Sequence, residues 1–287
     1  MLDDNNLKAL VSLLGDDDAE IIVHIKEKII SLGDGMIPLL EREWETNFNP
    51  HVQKRIVNLI HTIQYGGLLN RLTAWKETGG TDLLEGMWLV ATYQYPDLEY
   101  AKIKAEFEQL FYEAWVDMKE DANAADTVKI LNNVVFTKLK FSANTKNFHS
   151  PSNSMINNVL ESRKGNPIAL CVVYLLIAQK LKLPIYGVNL PNLFILTYKT
   201  AEEPPFYINA FNKGLIFSKA DIDNYISHLN LTPNPIYFDP CDHIDIIARV
   251  FRNLIVSFEK IGEAEKVQEV KALLAIVDRN ASTGEAS

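Results

Sequence analysis

Few side chains in this 287-residue chain are able to act as nucleophiles or metal ligands. It contains two cysteines, Cys171 and Cys241, and six histidines. A cysteine performs acyl transfer when its thiolate is favoured and a histidine lies close enough to move the proton. Cys171 lies in an apolar run, where a thiol packs as a small hydrophobe. We therefore predict that Cys171 belongs to the core. The alternative is a Cys171 nucleophile served by a displaced base such as His149.

A second group of polar side chains is concentrated in five residues, with Asp239, Cys241, Asp242 and His243 close together. Zinc sites need two separated pairs of ligands, a spacing that this run does not have. Asp242 is a suitable N-cap for a following helix, and Asp245 suits its first turn. The chain has no glycine-rich phosphate loop, dinucleotide fingerprint or serine elbow. We predict no metal and no cofactor.

Composition and charge exclude several classes of protein. The chain has 28 Lys plus Arg against 37 Asp plus Glu, a net charge of −9, which repels nucleic acid. No apolar run approaches the roughly 20 residues of a membrane span, and the polar start does not resemble a secretory signal. Two unpatterned cysteines favour a reducing compartment. We expect a cytoplasmic protein that binds neither nucleic acid nor membrane.

Residues 1–66 show the pattern of short paired helices. Three apolar stripes have helical spacing: Ile22-Ile25-Ile29-Leu32, Ile37-Leu40-Trp44 and Val52-Ile56-Leu59-Ile63. Asp17 and Glu20 resemble a capping box before the first stripe, and Gly66-Gly67 is predicted to end the third. The region resembles a HEAT-type repeat, and a helical cap on the next domain is the alternative.

The rest of the chain predicts helices first and a clustered sheet later, which indicates an α+β fold, mostly helical, with a small antiparallel sheet. Apolar residues keep helical spacing as far as Lys140, and Gly165-Asn166-Pro167 opens a helix. Branched and aromatic residues then form β-type segments at 185–190, 194–198, 206–208 and 215–217. A helical hairpin closes the domain, and residues 279–287 are predicted to be a disordered tail.

Residues 81–278 resemble the SirB-type transglutaminase-like proteins in several runs that occur in order. These runs are Trp88-Leu89-Val90, Tyr95-Pro96-Asp97-Leu98, Ser150-Pro151-Ser152-Asn153-Ser154, Gly165-Asn166-Pro167-Ile168-Ala169-Leu170, Leu183-Pro184, Gly187-Val188-Asn189-Leu190-Pro191 and Arg249-Val250-Phe251-Arg252-Asn253-Leu254. The resemblance implies a variant of the papain-like fold. It also implies a cysteine at a helix start, a histidine on a strand and an aspartate on the next strand.

None of these three catalytic residue types is retained at the corresponding positions. Pro167 occupies the position of the cysteine, Leu193 that of the histidine, and Asn209 that of the aspartate. Proline and leucine can neither attack a carbonyl nor accept a proton. We therefore expect no catalytic residues and predict a pseudoenzyme.

Asparagines, by contrast, are frequent in the segments that border the family's cleft. We predict Asn153, Asn189, Asn192 and Asn209 to be binding residues, because amides both donate and accept hydrogen bonds without changing charge. A structural alternative is that Asn153 caps a helix and Asn192 fills a turn. The function predicted is a catalytically degenerate binding or scaffolding module with a protein or small-molecule partner. The alternatives are a Cys171-dependent acyl transferase or amidase, or a partner-docking surface on the N-terminal helices.

Overall fold

The computed structural model describes residues 4–16, 18–119, 121–232 and 234–279. The chain divides into two units, one through Leu72 and one from Thr73. Asp17, predicted to cap a helix, and residues 280–287 of the predicted tail lie outside the described residues. Arg279, the first residue of that predicted tail, is described and pairs with Asp242.

The helices cover most of the described chain. They are α1 (Asp4–Ser12), α2 (Ala19–Leu32), α3 (Ile37–Thr46), α4 (Pro50–Glu77), α5 (Leu83–Thr92), α6 (Tyr100–Asp117), α7 (Ala124–Asn132), α8 (Ile156–Ser162), α9 (Pro167–Lys180), α10 (Lys219–His228), α11 (His243–Ile261) and α12 (Ala264–Val277). Among the described helices, none is both long enough and apolar enough to cross a bilayer.

The strands form one antiparallel sheet and one short parallel pair. They are β1 (Ser142–Ala143), β2 (Lys164–Gly165), β3 (Ile185–Leu190), β4 (Leu193–Tyr198), β5 (Phe206–Asn209), β6 (Leu215–Phe217) and β7 (Pro240–Cys241). The sheet has the order β6-β5-β4-β3-β7, and β1 pairs with β2 in parallel. The structure thus confirms the α+β class and the predicted antiparallel sheet.

The first unit is a set of helices around its own apolar core. That core contains Val11, Leu14, Ile29, Met36, Leu39, Leu40, Val52, Ile56, Leu59 and Ile63. Asp18 caps α2 by accepting from the amides of Glu20 and Ile21. Trp44, which was predicted to belong to the second stripe, is 43% exposed, and Leu39 takes the buried position instead.

Helix α4 is longer than the sequence pattern predicts. Gly66-Gly67 was expected to end it, and the helix instead continues to Glu77. Two glycines inside a helix cost about 1 kcal/mol each relative to alanine. Leu68, Leu72 and Trp75 continue the buried helical stripe beyond them, and this burial offsets that cost.

Helix α9 is the centre of the second unit. Asn166 caps it by accepting from the Ala169 amide at 3.0 Å, and Pro167 occupies the first turn, where a missing amide hydrogen costs least. Residues 168–178 are all buried, so the helix is apolar on every side, as expected of a helix enclosed by other elements.

The two faces of the sheet have different partners. Val188, Leu190 and Ile195 pack with Ile222 and Ile226 of α10. On the other face, Phe194 contributes its backbone carbonyl to a contact with Cys171 of α9. Because side chains alternate along a strand, neighbouring residues of β4 lie on opposite faces.

Candidate functional site

A cavity of 180 Å³ lies at the N-terminal end of α9. Residues from four segments line it: Phe148 and His149 before α8, Asn166, Pro167 and Ile168 at the start of α9, Asn192 and Phe194 at the β3–β4 turn, and Arg249, Asn253, Val256 and Ser257 on α11. This is the position at which the family resemblance implies an active-site cleft.

A network of amide side chains holds the segment that precedes α8 against the start of α9. The Asn153 amide donates to the carbonyls of Asn147, at 2.6 Å, and Phe148, at 3.1 Å, and it accepts from Asn144 at 2.8 Å. Asn166 donates to Ser154 Oγ at 2.8 Å. The side-chain amide of Asn153 is therefore hydrogen-bonded within the protein, which indicates a structural role.

The three positions that the family resemblance assigns to a catalytic triad do not all line the cavity. Pro167 lines it. Leu193 packs against the apolar cluster on the α10 face of the sheet, one residue out of phase with the cavity-lining Phe194. Asn209 ends β5, where its side chain accepts from the Asn212 amide at 3.2 Å. Of the described residues at these three positions, only Pro167 reaches the cavity.

The remaining predicted asparagines have different surroundings. Asn192 lies in the β3–β4 turn with φ of 58°, is exposed, and lines the cavity. Asn189 pairs across the strands with Phe194, and its Oδ1 accepts from Arg249 Nη1 at 3.2 Å. Asn189 therefore orients the arginine of the cavity.

Cys171 lies one turn deeper in α9 and is fully buried. Its Sγ is 3.5 Å from the Phe194 carbonyl, to which it donates a hydrogen bond. Burial raises the pKa of the Cys171 thiol to about 12. A thiol with these properties remains protonated at neutral pH. His149 lines the cavity and is exposed, and the structure does not bring it to Cys171.

The side chains between Asp239 and His243 have structural partners. Asp242 caps α11 by accepting from the Asp245 amide at 3.0 Å, as predicted. The two ring nitrogens of His243 contact the Gly80 carbonyl at 3.0 Å and the Gln179 amide at 2.9 Å. Within the described residues, no three His, Cys, Asp or Glu side chains are grouped as a metal site.

The residues of α11 were missed as cavity residues by the sequence analysis. Arg249, Asn253, Val256 and the buried Ser257 recur at helical spacing along that helix, so they share one face. This spacing is visible in the sequence. The spacing shows that the four residues lie on one side of the helix. Only the fold shows that this side meets the start of α9.

The cavity offers hydrogen-bonding groups without an assembled nucleophile. Ser257 is buried, and its hydroxyl donates to the Asn253 carbonyl at 2.9 Å. In the described part of the chain, no histidine nitrogen is hydrogen-bonded to a cysteine or serine side chain at this cavity. Arginine, amide and aromatic side chains in one small cavity suit the binding of a small polar molecule.

Comparisons with known proteins identify the family. The profile of the transglutaminase-like superfamily matches residues 101–252. A UPF0162 protein of Xylella fastidiosa strain 9a5c is 28% identical over 195 residues, which cover 64% of this chain and 69% of that protein. A UPF0162 protein of Vibrio cholerae is 24% identical over 135 residues, covering 47% of this chain and 50% of that protein.

Part of the chain is also similar to a larger protein. Human F-box only protein 21 is 34% identical over 91 residues, which cover 29% of this chain and 14% of that protein. No solved structure matches the chain significantly. The matched profile covers more than half of the sequence and includes α9, the sheet and, of the cavity-lining residues on α11, Arg249. This chain therefore belongs to the transglutaminase-like superfamily.

Proposed function

We propose that this chain is a catalytically degenerate transglutaminase-like protein that binds a ligand in the cavity at the start of α9. The observation that carries the proposal is the set of side chains that line that cavity. Pro167 stands where the family resemblance places a nucleophile, and an arginine with several amide groups lines the same space. Such groups hold a molecule in place without attacking it.

The surroundings of Cys171 support binding over acyl transfer. A working cysteine nucleophile is exposed to its substrate and has a lowered pKa. Cys171 is enclosed, and burial raises its pKa. A Cys171-dependent acyl transferase would need α9 to open and a base to approach.

We also propose a subfamily and a cellular compartment for this protein. The runs that match SirB-type proteins, together with the UPF0162 relatives, support a SirB-type member acting in the cytoplasm. Both cysteines are free thiols, which fits a reducing compartment. The helices of residues 1–66 form a HEAT-like region, which serves as a scaffold surface in this proposal.

The first experiment separates binding from chemistry. The chain is incubated with an activated ester, and separately with a glutamine-containing peptide plus an amine, alongside a Cys171→Ala variant. We expect no product whose formation depends on Cys171. Turnover by the unmodified chain that Cys171→Ala abolishes would contradict the proposal and support the acyl transferase.

The second experiment locates binding. A library of small polar compounds is screened by amide chemical-shift changes, which we expect at the residues lining the cavity. Val256, 46% exposed on the cavity wall, offers a site for a blocking variant, Val256→Trp. The matched control is Val23→Trp, at a helical valine that is 51% exposed in the first unit. Binding that survives Val256→Trp would place the site elsewhere.

A further inference from the structure

Arg249 is the one arginine or lysine that lines the cavity among the described residues. It is partly buried, and Asn189 Oδ1 accepts from its Nη1 at 3.2 Å. In the described part of the chain no carboxylate pairs with it. A guanidinium carries five N–H donors, so most of those of Arg249 have no described protein acceptor.

Other arginines of the same unit differ in this respect. Arg252, three residues further along α11, pairs with Asp278 at 2.9 Å. Arg279 pairs with Asp242. Arg252 and Arg279 thus pair with carboxylates, Arg163 lies over the Phe141 ring at 5.1 Å, and Arg249 of the cavity is held by a neutral amide.

The electrostatic surroundings of Arg249 favour an anion. Burial lowers its pKa from the ordinary value, the neighbouring charge of Arg252 lowers it further, and Tyr225 acts in the opposite direction. A partly buried cation without a counterion is incompletely compensated. An anion entering the cavity would supply this missing charge.

The shape of the cavity restricts which anion fits. A volume of 180 Å³ is below the range typical of drug-sized ligands. Phe148, Ile168 and Phe194 supply apolar walls, and the Asn192 and Asn253 amides are polar. A single guanidinium presents two parallel N–H groups, which match a planar carboxylate. The nearby second guanidinium, of Arg252, is already paired with Asp278.

We infer that the cavity binds a small monocarboxylate that carries one apolar group, with the carboxylate on Arg249 and the apolar group between Phe148 and Phe194. The carboxylate belongs either to a free acid or to the C-terminal residue of a peptide. This inference rests on the proposed function of the cavity as a binding site.

The test uses a pair of probes of the same shape. Isovalerate and isovaleramide differ in charge and hardly in size. Binding to the full chain is followed by chemical-shift changes of cavity amides and of the Arg249 Nε–H signal. We expect the acid to bind at least about tenfold more tightly than the amide, as one charge-assisted contact predicts.

Variants of Arg249 test whether this residue causes the tighter binding of the acid. Arg249→Gln is expected to reduce acid binding by about tenfold or more, to the level of the amide. Arg249→Lys keeps the charge and loses the paired N–H groups, so an intermediate loss is expected. Arg42→Gln removes the same charge from an exposed residue of the first unit and is the matched control. Thermal melting of each variant verifies folding.

The source of the carboxylate is distinguished by acetyl-Gly-Gly-Leu and its C-terminal amide. Tighter binding of the tripeptide acid than of isovalerate indicates a peptide C-terminus. Binding of isovalerate alone indicates a free acid. In both cases the loss in Arg249→Gln is expected.

Three outcomes overturn the inference. They are equal binding of acid and amide, acid binding that Arg249→Gln leaves unchanged, and inorganic phosphate binding more tightly than either acid. Failure of the proposed function has a different signature: no probe, charged or neutral, shifts the cavity signals, and the inference falls with it. Amide binding that persists in the cavity leaves the proposed function standing and removes the carboxylate assignment alone.

Discussion

The first turn of α9 and the turns that follow it face different surroundings. Pro167 borders the cavity, where polar side chains meet solvent. Residues 171–178, in the turns that follow, are all buried. The stability of the buried turns depends on the volume and apolar surface of their side chains. The chemistry of the first turn depends on which functional group it presents to the cavity. We therefore expect a transglutaminase-like core to tolerate proline at the position that the family resemblance assigns to a nucleophile, since the two requirements involve different side chains.

The largest expected contrast is in thiol reactivity. Burial raises the pKa of Cys171 to about 12, so its thiolate fraction at pH 8 is roughly a thousandfold below that of a free thiol. In a Cys241→Ser variant we expect iodoacetamide to label Cys171 only after denaturant is added. Mass spectrometry of the native protein checks this. Rapid native labelling would mean that the buried turns of α9 open readily.

Truncation of a buried side chain in α9 is expected to have the largest effect on stability. Tyr174 is buried, stacks on Phe136, and donates to Asn132 Oδ1 at 3.0 Å. We expect Tyr174→Ala to cost about 3–5 kcal/mol and Tyr174→Phe about 1 kcal/mol. Urea unfolding measures both values. Tyr112→Ala, at a tyrosine that is 59% exposed, is the control, with an expected change within about 0.5 kcal/mol.

The buried thiol also predicts a pH dependence of stability. An unfolded cysteine loses its proton near pH 9, whereas folded Cys171 keeps it until about pH 12. Between these values the folded state binds more protons, so Cys171 alone lowers the free energy of unfolding by about 1.4 kcal/mol per pH unit. Cys241, whose pKa burial also raises to about 12, acts in the same direction. Cys171→Ala should have a shallower slope above pH 9 in urea titrations. Equal slopes would contradict the assigned burial.

Among substitutions in α9, we expect a small change in stability at the cavity end of the helix. Pro167→Cys places a thiol at the helix start, and we expect it to cost about 1 kcal/mol or less, since proline there is favourable but not essential. In a background without Cys241, this thiol should label in the native protein while Cys171, four residues on, stays protected. Protection of both thiols would show that the cavity is closed to small reagents.

Local patterns in the sequence predict much of the fold. Residues 185–190 and 215–217 form the predicted strands, and Asp242 caps α11. Each of these features depends on a few adjacent residues. The parallel pairing of β1 with β2 joins residues far apart in sequence and was not predicted.

The candidate site is harder to predict because it depends on which way side chains point across the fold. Leu193 and Phe194 are adjacent, and the pleat of β4 sends only Phe194 to the cavity. Arg249 belongs to the run 249–254, which resembles the family, and the sequence alone does not assign it any chemistry. A binding role for Arg249 is suggested only by the fold, which places its guanidinium beside the Asn189 amide on β3 and pairs it with no carboxylate among the described residues.

The amide network around Asn153 has a consequence for the speed of binding. Because one side chain holds the carbonyls of Asn147 and Phe148, the wall beside His149 moves only if several hydrogen bonds break together. The cavity is thus in place before any ligand arrives. Association should then be limited by diffusional encounter rather than by a slow rearrangement of the protein, with a rate that rises in proportion to ligand concentration.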